Sequence, residues 1–353
     1  MKILHCIHSL SGGGAERQLK LLVAEANNKG EDYAIYCVNS EGNNLPVGLV
    51  KIYHSSKKSK LSVFGEIEKA IKDFNPDIVH VWLPFSVTIP ALIIAKLNRK
   101  IIVSSYRNAM MFNRLFKVVE YMLIWICSDG IISNNPISMS RIQYRILFKK
   151  KIGRVIPNAV KIDNKYKKSL DSKKNAKKTI LFVGRLTKQK NWQCLINAMP
   201  AVIKHNNEIQ LLVCGDGEDK DKFIRLVNSL GLENNVSLRG YEKNIYQVMK
   251  DADVLVSASW FEGMPNVLLE ALEIGLPCIV SKINAHLNVL NDIDTFLLFD
   301  PSSSKDLSSK IISFLSEENH ENMVIKGWEI ASQYTLREMV SSYKAYYRLI
   351  INN

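Results

Sequence analysis

Short apolar runs rich in β-branched and aromatic residues alternate with helical stretches along this chain, and the alternation occurs twice. In the first half the runs are KILHCIH, DYAIYCV, GLVKIYH, DIVHVWL, KIIVSSY and GIISN, with helical stretches after Glu16, Ser62, Thr88 and Ala109. In the second half they are TILFVGRL, IQLLVCGDG, NVSLRGY, DVLVSAS, PCIVSK and TFLLF, again separated by helices. Strands joined by helices form parallel sheets, because a parallel pair needs a crossover that a tight hairpin cannot supply. The pattern therefore predicts an α/β chain with two Rossmann-like parallel-sheet domains. Its 353 residues suit two domains of roughly 100–200 residues each.

The break between the two series falls in VKIDNKYKKSLDSKKNAKK, which is polar, lysine-rich and without apolar periodicity. Residues 1–160 are read as an N-terminal domain, 161–178 as the linker and 179–335 as the C-terminal domain. The last helical stretch, within 336–353, has length to spare and is expected to pack back on the first domain. In open α/β sheets ligands bind beyond the carboxyl ends of the strands. With two such sheets facing each other, the expected site is a cleft lined by strand-end loops.

Composition narrows the function. The six cysteines are scattered with no CxxC pair, and the seven histidines include no HExxH, so neither a disulfide framework nor a zinc motif is present. These buried-looking thiols fit a reducing cytoplasm. MKILHCIHSL reads as a buried first strand, not a signal peptide, and YMLIWIC is far short of the ~20 apolar residues that span a bilayer. The net charge is +13, and residues 1–160 hold 22 Lys and Arg against 11 Asp and Glu. That basic half suits an anionic membrane surface or a phosphorylated substrate. Nucleic acid is not expected, because no RRM, KH or zinc pattern accompanies the charge.

Three stretches carry chemistry. SGGGAERQLKLL (11–22) follows the first strand and opens a helix, so Gly13 and Gly14 allow close backbone approach beside the free N–H groups of a helix start. It matches neither G-x-G-x-x-G nor the phosphate loop ending in G-K-[ST]. GRLTKQKN (184–191) brings Arg185 and Lys190 out at the carboxyl edge of the second sheet, a fork and a point charge able to clamp a diphosphate. WFEGMPNVLLEAL (260–272) sets Glu262 and Glu270 on either side of Pro265. Proline suits a helix start, so the two acids bracket a helix N-terminus, with the N–H groups of Gly263–Val267, apart from Pro265, aimed at a ligand. Helix capping accounts for an acid at Glu262 but less readily for one at Glu270.

Together these stretches, with IPNAV at 156–160 and GDG at 215–217, resemble retaining glycosyltransferase family 4, which has the GT-B fold. The resemblance covers nearly the whole chain and is most specific between 179 and 275. It implies transfer of a sugar from a nucleoside diphosphate, UDP in preference to GDP, to a glycan hydroxyl. Arg185 and Lys190 would bind the donor diphosphate and stabilise the leaving phosphate. Glu270 would hold the ribose, and Glu262 the transferred sugar, with Gly263, Met264, Pro265, Asn266 and Val267 shaping that pocket. Gly13 and Gly14 would approach the diphosphate, and the Arg239–Tyr241 loop would meet the base.

The resemblance further implies no resident cofactor and no metal. The D-x-D pairs Asp251–Asp253 and Asp292–Asp294 are not at strand ends, so neither is read as a metal site. A lipid-diphosphate-linked acceptor at the cytoplasmic face of the inner membrane is expected, as in bacterial O-antigen, capsule or lipopolysaccharide assembly. MMFNRLFKVVEYMLIWIC (110–127) is a candidate for membrane contact. The chain departs from the family where a histidine often follows the fifth strand, which here offers Arg107, and where a glutamate often stands near 284–290, which here offers His286 and Asn288. His8 and His80 are further candidates, with a satisfied core histidine the competing reading. The alternatives are a nucleotide-sugar epimerase of the same fold, against which stands the lack of acid/base groups near the sugar, and a non-enzymatic nucleic-acid binder using the basic half, against which stands the missing RRM, KH or zinc pattern.

Overall fold

The structure, a computed structural model, describes the whole chain except residues 12, 40–48, 56–61, 83–86, 108–121, 137, 141–151, 170–177, 291–294 and 318–319. It divides into two compact units, Met1–Ala159 with Leu336–Asn353, and Val160–Thr335.

The first unit holds β1 (Lys2–Ser9), β2 (Asp32–Asn39), β3 (Lys51–His54), β4 (Ile78–Trp82), β5 (Ile101–Tyr106), β6 (Gly130–Ser133) and β7 (Ile152–Val155), in the order β3-β2-β1-β4-β5-β6-β7. Every neighbouring pair is parallel. The second holds β8 (Thr179–Val183), β9 (Gln210–Cys214), β10 (Val236–Gly240), β11 (Val254–Ser257), β12 (Cys278–Ser281) and β13 (Leu297–Phe299), ordered β10-β9-β8-β11-β12-β13 and again all parallel. Each run expected as a strand forms one. β7 was not among them, because Lys, Gly and Arg interrupt KIGRV and leave no apolar run to see.

Apolar side chains on both faces of each sheet are covered by helices, giving one core per face. The helix Gly14–Asn28 turns Leu19, Leu22, Val23 and Ala26 inward at helical spacing. The helix Asn266–Ile274 buries Leu268, Leu269, Ala271, Leu272 and Ile274, and stops at Gly275. Gly275 adopts φ 84°, a left-handed cap that glycine takes without strain. The helix expected after Ala109 lies outside the described residues, apart from the helical turn at 122–127.

The C-terminal helix Leu336–Ile351 packs on the first sheet through Met339, Val340, Tyr343, Tyr346, Tyr347 and Ile350. Burying each tyrosine contributes about 1.5–3 kcal/mol, provided its hydroxyl is paired. That condition is met for Tyr346, which donates to the carbonyls of Ile131 at 3.1 Å and Ile152 at 2.5 Å. Val160, read from sequence as the end of the N-terminal domain, and residues 161–169, read as linker, belong to the second unit. Val160 bridges to Thr335, and the Lys168 N–H donates to the Ile274 carbonyl at 2.8 Å.

Candidate active site

In the second sheet the strand order reverses between β8 and β11, which lie side by side in parallel. Such a reversal opens a crevice at the carboxyl edge, since successive crossovers leave in opposite directions. The loop after β8 carries Arg185 and Lys190, and the loop after β11 carries Ser259 and Glu262.

These loops are joined side chain to side chain. Lys190 Nζ donates to Glu262 Oε1 at 2.6 Å, and Ser259 Oγ donates to the same oxygen at 2.6 Å. The pair is largely shielded, with side-chain exposures of 19% for Lys190 and 9% for Glu262. Burial alone would raise the Glu262 pKa, but the Lys190 charge and the hydrogen bonds from Lys190 and Ser259 outweigh it and hold the carboxyl below its ordinary value. Glu262 is therefore an anion at neutral pH. Backbone bonds reinforce the join: the Trp260 N–H donates to the Gln189 carbonyl at 2.9 Å, and Gln189 Nε2 donates to the Phe261 carbonyl at 2.9 Å.

The neighbouring strand ends are tied in by close backbone contact. A Cβ on Gly215 would fall 1.9 Å from the Gly184 carbonyl oxygen, and one on Gly217 would fall 2.4 Å from that of Leu186. The GDG sequence thus lets the turn after β9 lie against the loop after β8. The Gly215 N–H donates to the Gly240 carbonyl at 2.7 Å, linking this turn to β10. Next to that link, Arg239 is exposed and Tyr241 is 75% exposed.

Arg185 is exposed. Pro265 occupies the N-cap of the helix Asn266–Ile274, close to the expected start, and Glu270 is buried in its second turn. Gly263, Met264, Asn266 and Val267 surround this helix start. The Asn266 N–H donates back to the Met264 carbonyl at 3.0 Å, so it is engaged within the turn and not aimed outward as the sequence reading had it.

In the first unit Gly13 is the N-cap of the helix Gly14–Asn28, and the Glu16 carboxylate lies over it, 1.9 Å from where a Gly13 Cβ would be. His8 is exposed near the end of β1. His80 is fully buried in β4, its Nδ1 2.6 Å from the Tyr347 hydroxyl and its Nε2 2.7 Å from Ser105 Oγ. This is the satisfied core histidine. Arg107 is also buried: its guanidinium stacks 4.1 Å over the Trp82 ring, donates to Asn158 Oδ1 at 2.6 Å, and bonds the Tyr343 hydroxyl. It anchors the C-terminal helix instead of presenting a free cation.

Among the described residues no three His, Cys, Asp or Glu side chains are grouped to hold a metal. Asp253 accepts the Thr179 N–H at 2.7 Å, a structural bond, and Asp292–Asp294 lies outside the described residues. Sequence reasoning did not single out Ser259, Gln189 or His5. A serine three residues before Glu262 was the available signal for the first.

The family model for glycosyl transferases group 1 matches residues 163–328, and that for glycosyltransferase family 4 matches residues 12–164. Two relatives show how far the similarity extends. An uncharacterized glycosyltransferase of Methanocaldococcus jannaschii is 29% identical over 61% of this chain and 57% of its own, so the chain spans a little over half that protein's length. The N-acetylgalactosamine-N,N'-diacetylbacillosaminyl-diphospho-undecaprenol 4-alpha-N-acetylgalactosaminyltransferase of Campylobacter jejuni is 27% identical over 75% of this chain and 76% of its own. Among solved structures, HepE of Anabaena in complex with UDP and glucose superposes with a TM-score of 0.82 at 19% identity, covering 99% of each chain, which establishes the same GT-B fold. The two models together take in residues 12–328, and the chain belongs to glycosyltransferase family 4.

Proposed function

We propose that this chain transfers a sugar, with retention of anomeric configuration, from a nucleoside-diphosphate sugar to a hydroxyl of a glycan acceptor. The observation that carries the reading is the Lys190–Glu262 pair, formed by two loops that meet at the strand reversal. Lysine has three ammonium donors, so Lys190 keeps donors for a diphosphate while holding Glu262 as an anion. In the proposed step the bond from the sugar's anomeric carbon to the diphosphate breaks, and the acceptor oxygen bonds to the same face. The acceptor proton passes to the departing phosphate, whose charge Arg185 and Lys190 stabilise. Glu262 holds the sugar hydroxyls and Glu270 the ribose. UDP is the preferred carrier, and the two cations take the part a divalent metal plays elsewhere.

The acceptor proposed is a lipid-diphosphate-linked glycan of surface polysaccharide synthesis, supported by the C. jejuni relative, whose name contains such an acceptor. Peripheral contact with an anionic membrane goes with it. Ile93 and Leu97 on the helix Thr88–Leu97, and Met122, Leu123 and Ile126 in the turn at 122–127, are exposed apolar side chains. Exposed Lys96 and Arg99 flank the former. No described helix is long and apolar enough to cross a membrane.

Nucleotide release from a panel of UDP- and GDP-sugars, in EDTA, tests the reading. Release by the wild-type chain that falls sharply in Lys190→Ala is expected. No release from any donor, with lipid-linked glycans supplied, would overturn it.

A further inference from the structure

His286 is fully buried at the carboxyl edge of the second sheet, in the short helix Asn284–Leu290 after β12. Its Nδ1 lies 2.8 Å from the Ser281 carbonyl and 3.3 Å from Ser281 Oγ, and its Nε2 lies 3.1 Å from Ser257 Oγ. A carbonyl can only accept, so Nδ1 carries the hydrogen, and Nε2 accepts from the Ser257 hydroxyl. One neutral ring thus clamps the last residue of β11 to the last residue of β12.

The clamp continues toward the candidate site. Ser281 Oγ donates to the Ser259 carbonyl at 2.7 Å, and Ser259 Oγ donates to Glu262 Oε1 at 2.6 Å. Glu262 then meets Lys190 at 2.6 Å. The path from His286 to Lys190 runs through hydrogen bonds at the Ser281 carbonyl (2.8 Å), Ser281 Oγ (2.7 Å), Ser259 Oγ (2.6 Å) and Glu262 Oε1 (2.6 Å), joined within Ser281 and Ser259 by their covalent frames. Burial lowers the affinity of His286 for a second proton, in keeping with the single-hydrogen ring that the bonds require.

We propose that His286 is a positioning residue for sugar transfer, fixing the Ser259–Glu262 loop so that Glu262 faces the transferred sugar while paired with Lys190. The inference rests on the reading of Glu262 given above. A histidine kept only for packing would leave turnover unchanged when replaced by an apolar side chain of similar size, at temperatures where the variant stays folded. A positioning histidine would not, because a shift of about 1 Å in a positioned group costs up to roughly a hundredfold in rate.

The test is a kinetic double-mutant cycle in the full-length chain, using the nucleotide sugar that the wild type turns over fastest. His286→Leu is expected to lower kcat roughly ten- to hundredfold while UDP binding by calorimetry changes less than about threefold. Glu262→Gln is expected to lower kcat alone, yet to add little in the His286→Leu background, since the two residues act along one path. His286→Asn keeps an N–H able to reach the Ser281 carbonyl and is expected to recover part of the lost rate, as loss of bulk alone would not predict. Full kcat in a folded His286→Leu, or strictly multiplicative losses with Glu262→Gln, would overturn the inference alone. An inactive wild type, or a fully active Glu262→Gln, would remove the reading of the site and the inference with it.

Discussion

Glu262 and Glu270 lie eight positions apart in sequence but in different surroundings. Glu262 is an ion-paired loop carboxylate, and Glu270 is buried in the following helix. Their loss is expected to separate in kinetics. Glu270→Gln should weaken UDP binding about tenfold or more, the scale of a charge-assisted hydrogen bond. Glu262→Gln should leave UDP binding near wild type and lower kcat, and calorimetry beside turnover checks both. His5 gives a second prediction at this scale. Trp82 Nε1–H donates to its Nδ1 at 3.0 Å, so a second proton on the ring would break that bond. Burial first, and then the Arg107 charge, lower the His5 pKa to about 3. The unfolded histidine titrates near 6.5, so the stabilisation is complete above about pH 6.5 and is lost as pH falls toward 3. His80 is depressed likewise, by burial first. The melting temperature should therefore fall through that window, with a shallower slope in His5→Gln. An unchanged slope would show that His5 does not titrate on unfolding.

Elements were legible in sequence wherever an apolar run or helical spacing carried them, as for β1, β4, β8 and the helix Asn266–Ile274. β7 was not, because an interrupted run such as KIGRV carries no periodic signal. The candidate residues in GRLTKQKN and WFEGMPNVLLEAL stand out in sequence because strand-end position and residue type point to them. Their partners were not. That Lys190 meets Glu262, or that Arg107 is consumed by Trp82, Asn158 and Tyr343, depends on contacts between elements far apart in sequence. The GDG turn matched the family pattern, but its physical reason is visible only in space. A Gly215→Ala methyl would collide with the Gly184 carbonyl, and Gly215 also adopts φ 150°. The substitution should push the β8 and β9 loops apart, costing about 1–3 kcal/mol of stability together with UDP affinity. Urea unfolding and calorimetry measure the two, and a fully stable, fully binding variant would show that the close approach is dispensable.

At the scale of the whole molecule, charge divides the chain: residues 1–160 hold twice as many basic as acidic side chains, while residues 179–353 hold 17 against 21. If the basic half draws the enzyme to an anionic bilayer, flotation with vesicles containing phosphatidylglycerol should decline as salt rises, since screening shortens the reach of surface charge to about 8 Å at physiological ionic strength. Leu97→Glu together with Ile126→Glu should weaken flotation further without changing donor hydrolysis in solution. Flotation indifferent to salt, lipid charge and these substitutions would remove the membrane from the mechanism. The most direct test of transfer itself is the anomeric configuration of its product. With an α-configured UDP-sugar, a polyprenyl-diphosphate-linked glycan and EDTA present, proton NMR should show a new α-glycoside formed by the wild-type chain and little by Glu262→Gln. A β-glycoside, or a reaction that stops until a divalent metal is restored, would mean that the Lys190–Glu262 site does not work as proposed.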